Sequence, residues 1–582
     1  MDLPWKGIGL AIVRVVSGGA TSLFVHGRLV EDNPEGTEDA VLVSYAGDEE
    51  TVDLRLLART LHPTLPGHGL AQLCSHYGIA EGSDPGTLFS LLSALIEGFL
   101  KLSPDLLTLL SKLLPSPSSD LIRRMVPFAK PQAEAPRKSV PSASPPKHSL
   151  ADALAPDGVL ARDLPGFEAR SGQREMAQRV LNVLEHGGTA VVEAGPGTGK
   201  TFSYLIPALI HLRDHDGARI VLSTRTKQLQ EQVFHKDLPF LASRLLPELQ
   251  VALLKGRKNY ICLRRWQIVL GELVEGLERD LLTCLAPVGR WLFATQTGDI
   301  EENNAFLTER EAKVLWRRLY DDPHRCLGQS CPFYDDCFSV AARRRARRAD
   351  LVVVNHSLLL ADQQIDQGIL GDYESLIVDE AHALESAARQ AFTVSLSVHS
   401  VDSLLRAIEH PLGRRSGGWL ARLPFARTDA RVRKVHDLLG SLHGANTRLF
   451  SAISRGLSPA RGRSPDLSPF EEQMAGVMRE LETLTRSIES LADAADAQEI
   501  EHEANGLISE GEEIVASFHK VFSPSDDNSV HWYEFIGDEP YLHVSPLTVA
   551  PFLQKSLYPR VESLVLTSAT LSQGGDFTYL KD

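Results

Sequence analysis

The stretch Thr189-Ala190-Val191-Val192-Glu193-Ala194-Gly195-Pro196-Gly197-Thr198-Gly199-Lys200-Thr201-Phe202-Ser203-Tyr204-Leu205-Ile206 reads as an apolar run, a glycine-rich turn and an apolar helix start, in that order. A strand, loop and helix in this register make a phosphate-binding loop. Gly195, Gly197 and Gly199, with Thr198 among them, let the backbone point N–H groups at a polyphosphate. Lys200 reaches the β- and γ-phosphates, and the Thr201 hydroxyl is placed to ligate Mg²⁺. The first motif position is Ala194 rather than glycine, which leaves the three glycines next to the lysine untouched. The sequence therefore predicts ATP or GTP binding on an α/β fold.

Moving outward, Ala218–Ser223 is a second apolar strand, and it ends in Thr224-Arg225-Thr226. Strand, helix and strand in succession imply a parallel, doubly wound sheet with ligands at the carboxyl ends of its strands, so Thr224 to Thr226 form a candidate binding loop. Asp350–Asn355 and Ser375–Val378 are further strands, and the latter runs into Asp379-Glu380-Ala381-His382. Two acids at a strand end supply the other half of an NTPase site: Asp379 to hold Mg²⁺, Glu380 to orient or deprotonate the attacking water. The last such strand, Ser563–Leu566, leads into Thr567-Ser568-Ala569-Thr570.

At 582 residues the chain exceeds one core, and roughly 150 residues per domain implies about four units. No stretch reaches the ~18 uncharged apolar residues of a membrane span; the richest, Leu88–Leu114, is broken by Glu97, Lys101, Asp105 and Lys112. Met1-Asp2-Leu3-Pro4-Trp5-Lys6 lacks the basic and apolar regions of a secretory signal. The expectation is a cytoplasmic protein with no membrane partner. The net charge of −15 argues against a surface coated for nucleic acid, so any strand contact must come from local cations. Arg343-Arg344-Arg345-Ala346-Arg347-Arg348 reads as a solvated helix face, while residues 491–517 hold eight acids and no Lys or Arg.

Residues 1–128 open with β-like stretches at Ile8–Val16 and Ala40–Tyr45, continue with helical periodicity from Leu54 to Leu114, and predict a small α/β domain. Pro, Ser, Ala and Lys dominate from Ala129 to Ser149, and 129–165 is assigned as a linker. Of six cysteines, Cys262, Cys326, Cys331 and Cys337 fall between the phosphate loop and the acidic turn, the last three as C-x4-C-x5-C. Four clustered thiols in a reducing compartment suit a metal site, either zinc or an iron–sulfur cluster.

As a set, these motifs resemble the DinG and XPD group of superfamily 2 iron–sulfur DNA helicases, over about 166–582. The resemblance implies a RecA-like motor domain in three parts (166–255, 346–385 and 544–582), interrupted by an iron–sulfur domain (256–345) and a helical arch (386–543). Arg170 and Gln173 look like the adenine-side Q motif, Ala194–Thr201 like motif I, Ser223–Thr226 like motif Ia, Asp379–His382 like the DEAH box and Thr567–Thr570 like motif III. By the same resemblance Lys200, Asp379, Glu380 and His382 are catalytic, with His382 coupling nucleotide state to DNA through Ser568 and Thr570. Gly256–Cys262 looks like the family's lead-in to the cluster domain, implying a 4Fe-4S cluster on the four cysteines. Thr224, Arg225, Thr226, Arg257, Lys258, Arg264 and Arg265 are implied contacts to single-stranded DNA.

The implied function is ATP-driven translocation on DNA and unwinding; the competing reading is a DNA-binding or redox-sensing module that does no mechanical work. Asp53–His68 looks like the later part of a DnaQ-type 3′–5′ exonuclease domain. It comes without an Asp-x-Glu on the early strand and without a His followed by Asp after Gly78-Ile79, Asp84 being the nearest acid, so a degenerate domain is expected. The group carries a second RecA-like domain after motif III. With the chain ending at Asp582, a truncated product or a separate chain supplying that domain is expected, with slow turnover by these residues alone.

Overall fold

The computed structural model describes residues 12–17, 20–25, 28–30, 41–45, 51–131, 148–164, 168, 170–195, 197–276, 279–363, 368–412, 415–457, 462–463, 465–524, 528–572 and 577. At its centre, β1 (Gly188–Glu193), β2 (Ile220–Thr224), β3 (Val251–Leu253), β4 (Leu351–Asn355), β5 (Ser375–Asp379) and β6 (Ser563–Ser568) form one parallel sheet in the order β1-β6-β5-β2-β4-β3. Every residue of β2, β5 and β6 is buried, as continuous apolar strands must be when helices cover both faces. β6 is last in sequence yet lies between β1 and β5, placing Thr567 beside both Val192 and Asp379. The carboxyl ends of strands far apart in sequence thus meet at one edge. β3, three residues at the sheet border, lies in the short apolar run Val251-Ala252-Leu253-Leu254 and was not anticipated as a strand.

The helices Ser171–His186 and Lys200–Asp214 pack on one face of this sheet, in a core that also takes in Leu150, Ala153, Leu154 and Leu160. The linker assigned to 129–165 is corrected here. Short helices at Leu150–Ala153 and Val159–Asp163 bury apolar residues against the motor domain, and residues 132–147 lie outside the described residues.

A second correction concerns the boundary at 128. The N-terminal region is a five-stranded sheet (Ile12–Ser17, Ala20–Val25, Arg28–Val30, Val41–Ser44 and Val52–Asp53) followed by helices at Leu54–Leu61, Leu70–Tyr77, Pro85–Leu100, Pro104–Leu113 and Ser118–Met125. The hairpin from Ile12 to Val25 was missed, although Gly18-Gly19 is a hairpin signal; residues 8–11 of the expected first strand lie outside the described residues. Its core is continuous with that of the cysteine-bearing region: Leu57, Leu92, Phe99 and Leu110 belong to the same buried cluster as Trp266, Leu285, Trp291 and Phe306. The backbones meet as well. Ala305 N donates to Pro63 O at 3.0 Å, Asn304 Nδ2 to Thr64 O at 3.1 Å, and Arg59 pairs with Glu309 at 2.5 Å. Periodicity marks which face of a helix is buried, but not which neighbour buries it.

The inserted region after β5 has its own core on helices Val398–Ile408, Ala430–Gly456, Glu471–Ala495 and Gln498–Phe522, with a four-stranded antiparallel sheet that includes Ser529–Ile536 and Glu539–Pro546. The sheet adds to the helical arch expected from sequence. The acidic run at 491–517 finds its role here. Glu499 and Glu503 pair with Arg264, Glu510 with Arg325 at 3.0 Å and Glu513 with His324 at 3.5 Å, so this helix docks on the cysteine-bearing region by charge. Gly506 permits the close approach, since a Cβ there would sit 1.4 Å from His324 O. The arginine run occupies the helix Phe338–Arg348, with Ala342, Ala346 and Ala349 buried and Arg344, Arg345, Arg347 and Arg348 exposed, the solvated face expected.

Candidate active site

The glycine-rich turn follows β1, and Lys200 opens the helix behind it. Gly197 and Gly199 have φ of 76° and 77°, a region that L side chains enter only at a cost. Thr198 Oγ1 donates to Gly195 O at 2.8 Å and holds the turn; Pro196 lies outside the described residues. Gln173 is buried and its Nε2 donates to Gly199 O at 3.4 Å, while Arg170, exposed and paired with Glu168 at 3.1 Å, flanks Gly197. Both Q-motif candidates therefore stand against the loop.

Lys200 Nζ lies 2.6 Å from Glu380 Oε1 and 3.2 Å from Asp379 Oδ1. Burial pushes the Asp379 carboxyl above its ordinary range, only partly opposed by Lys200. Burial acts the same way on Glu380, but hydrogen bonds from Lys200 and Ser568 outweigh it and hold that carboxyl low. Tyr204 was not anticipated from sequence. Its buried hydroxyl donates to Asp379 Oδ2 at 3.1 Å and shares a hydrogen bond with Thr201. The available signal was its spacing, four residues after Lys200 on one helix face. Thr201, Asp379 and Tyr204 thus converge, and Thr201 with Asp379 offers a hydroxyl and a carboxylate, the hard oxygen donors that suit Mg²⁺.

Beyond Glu380 a chain of polar contacts runs across the sheet edge. Ser568 Oγ donates to Glu380 Oε2 at 3.2 Å and lies 2.6 Å from His382 Nδ1; His382 Nε2 lies 3.4 Å from Arg225 Nη1. Glu193, also missed, closes the opposite flank by accepting 2.6 Å hydrogen bonds from the N–H groups of Leu571 and Ser572.

The implied strand contacts divide into two groups. Arg225, Thr226 and Lys258 are exposed. Thr226 also caps a helix by accepting from Leu229 N at 3.3 Å. Thr224, Arg264 and Arg265 are corrected: Thr224 is fully buried, Arg264 is spent on Glu499 and Glu503, and Arg265 donates to the carbonyls of Tyr320 and Arg317 at 2.8 Å. Arg257 is held by Asp321 through bonds of 2.8 and 2.7 Å. A basic dipeptide looks alike whether it faces solvent or a buried acid, and only packing separates the two. Cys262, Cys326, Cys331 and Cys337 are all half-buried and unpaired. Cys337 lies within electrostatic reach of both Cys262 and Cys326, and Arg257 hydrogen-bonds Cys326. Cys262, Cys326 and Cys337 are thus near one another; burial pushes the Cys262 thiol up to about 11 and raises Cys337, a cost to the thiolate form that a bound metal or cluster would offset.

A DEAD/DEAH box helicase model matches residues 172–266. The chain is 32% identical over 447 residues to an ATP-dependent DNA helicase YoaA of Haemophilus influenzae, covering 74% of this chain and 64% of that one. It is 30% identical to an ATP-dependent helicase DinG of Mycobacterium tuberculosis, covering 71% and 61%, and 28% identical to a protein named 3′-5′ exonuclease DinG of Bacillus subtilis, covering 72% and 48%. The chain thus spans less than two thirds of the length of these relatives. An XPD helicase structure aligns with 70% of this chain and 59% of that one at 14% identity and a TM-score of 0.36, so the assignment rests on the sequence relatives and on the motifs assembled at the sheet edge. Residues 172–266 carry a DEAD/DEAH box helicase domain, and over about three quarters of its length the chain is a homologue of the proteins named YoaA and DinG.

Proposed function

We propose that this chain binds Mg-ATP in the loop 194–201 and couples its hydrolysis to movement along single-stranded DNA, as part of a DNA helicase. The carrying observation is that one carboxylate, Glu380, joins the phosphate-loop lysine at 2.6 Å to Ser568 at 3.2 Å, and Ser568 leads on to His382 and Arg225. A shift of Lys200 onto phosphate would thereby alter a chain that ends at an exposed strand-contact loop. In this reading Arg170 and Gln173 flank the adenine, Thr201 and Asp379 hold Mg²⁺, and Glu380 orients the attacking water. Bound Mg²⁺ would neutralise charge on the phosphates. Arg225, Thr226 and Lys258 meet the strand's phosphates. Cys262, Cys326, Cys331 and Cys337 hold a 4Fe-4S cluster that cross-links the loops carrying them. A cytoplasmic setting is part of this reading; separately, no helix among the described residues is long and apolar enough to cross a membrane.

The described residues contain one RecA-like sheet. A second such domain, in the same polypeptide or on a separate chain, is proposed to complete the motor and supply the cation that stabilises the transferring phosphoryl group, an effect worth ~10³–10⁵ in rate in related NTPases. The test is Mg-ATP binding, oligo-dT binding and hydrolysis by these 582 residues, with iron content after anaerobic purification. Binding of both ligands, loss of nucleotide binding in Lys200→Ala, slow turnover and about four irons per chain are expected. A colourless protein with one zinc would remove the cluster, and failure to bind ATP would remove the motor. DNA binding indifferent to ATP would favour the non-unwinding module.

A further inference from the structure

His356 belongs to none of the helicase motifs named above, yet it sits where three strands end. It opens the helix His356–Asp362 directly after β4, is 1% exposed, and reaches across to the two strands on its flank. Its Nδ1 lies 2.7 Å from Ser223 Oγ on β2, one residue before the Thr224–Thr226 turn, and its Nε2 lies 3.4 Å from the main-chain oxygen of Glu380 after β5. A carbonyl oxygen can only accept, so Nε2 carries the proton, and Nδ1 accepts from the Ser223 hydroxyl. Both ring nitrogens are then used, in one tautomer. The neutral ring this requires agrees with the burial of the side chain, which lowers its pKa to about 4.

The residue it holds is strained. Glu380 has φ 54° and ψ 44°, a left-handed conformation that a non-glycine residue keeps only when its surroundings impose it. Its backbone is pinned by its N–H donating to Asp379 Oδ1 at 2.9 Å, by Ala383 N donating to its carbonyl at 2.9 Å, and by His356 on that same carbonyl. Among the described residues, the His356 contact alone connects this pinned backbone to another strand. The contact also differs in kind from the route through Ser568, His382 and Arg225, which grips the Glu380 carboxylate rather than its main chain.

We propose that His356 is a positioning residue that ties the end of β2, and with it the exposed Arg225-Thr226 turn, to the backbone of Glu380, so that strand binding and nucleotide binding are felt through the same histidine. The proposal rests on the ATP- and strand-binding reading above. It predicts energetic coupling between the two ligands, and reciprocity requires each to shift the other's affinity by the same factor.

The experiment measures oligo-dT affinity of the 582-residue chain with and without a saturating non-hydrolysable Mg-ATP analogue, for the unaltered chain, His356→Ala, His356→Gln and Ser223→Ala. The unaltered chain should show a change of about fivefold or more. His356→Ala should keep each separate affinity within about twofold while the change disappears, Ser223→Ala should lose the change as well, and His356→Gln, which can still donate to a carbonyl, should recover part of it. Equal coupling in His356→Ala, or in Ser223→Ala should His356→Ala fail to fold, overturns the proposal, as does an unaltered chain that binds both ligands without coupling. An unaltered chain that binds neither ligand overturns the functional reading itself, and this proposal with it.

Discussion

Two lysines in this molecule face clusters of carboxylates, and they do opposite things. Lys200 meets Asp379 and Glu380 at the carboxyl edge of the sheet, with 14% of its side chain exposed and a glycine-rich turn open beside it. Lys255, 2% exposed, lies 2.5 Å from Asp299 and 2.8 Å from Glu301 and also pairs with Glu231. Lys227, on the same helix as Glu231, pairs with Glu301 at 2.8 Å and donates to Asn259 Oδ1 at 2.6 Å. The three acids around Lys255 are close enough to chelate a cation, but its ammonium already occupies their centre. The chemistry is the same in both places and the setting decides the outcome. Around Lys255 every partner is a fixed protein group, and the cluster is a joint between the helix after the 224–226 loop and the cysteine-bearing region. Around Lys200 backbone N–H groups and open space allow phosphate to take over one partner's role.

The contrast can be broken most forcefully at the joint. Lys255→Met leaves the buried Asp299 without its cation, Glu231 and Glu301 being half-buried and Glu301 keeping Lys227, and should cost about 3–5 kcal/mol of stability, measured by denaturant unfolding. A loss below about 1 kcal/mol would mean the joint is solvated in solution. Lys200→Ala should show the reverse pattern, with Mg-ATP affinity falling on the order of a hundredfold while stability falls by less than in Lys255→Met. Equal unfolding penalties for the two variants would erase the distinction.

Acid sharpens the comparison from another side. Burial lowers His356, and likewise His62 in the N-terminal region, to about 4 from the usual 6.5. For a histidine kept neutral in the fold, the stabilisation is fully present above the unfolded value. It is lost as pH falls from 6.5 toward 4, because the unfolded chain takes up the proton first. For His356 this amounts to about 3 kcal/mol at most, and His356→Gln should flatten that part of the stability–pH curve. An unchanged slope would place the ring in contact with water.

The smallest expected effect belongs to Gly199→Ala. At φ 77°, with a Cβ falling 2.5 Å from Gln173 Nε2, the substitution should cost about 1–2 kcal/mol and weaken nucleotide binding, and Gln173→Ala should relieve part of the clash. Gly195→Ala meets no atom within 4 Å of its added Cβ among the described residues beyond its chain neighbours, and serves as the comparison.

What the sequence determined by itself were the elements whose chemistry is local. The phosphate loop, Asp379 and Glu380 after an apolar strand, and the buried strands of the sheet were legible because each is a short run with a fixed spacing. The partner of each charged residue was decided by tertiary structure alone. Arg264 and Arg265 look as available as Lys258 in sequence, yet they are consumed by acids and carbonyls 52 to 239 residues away. The N-terminal helices show their apolar faces in sequence, but only the folded chain reveals that the cysteine-bearing region covers them in one core. His356, Tyr204 and Glu193 gain their positions because parallel pairing brings distant strand ends to one edge. Periodicity encodes which face turns inward; ion pairing and burial depend on distances through space, which the order of residues along the chain does not contain.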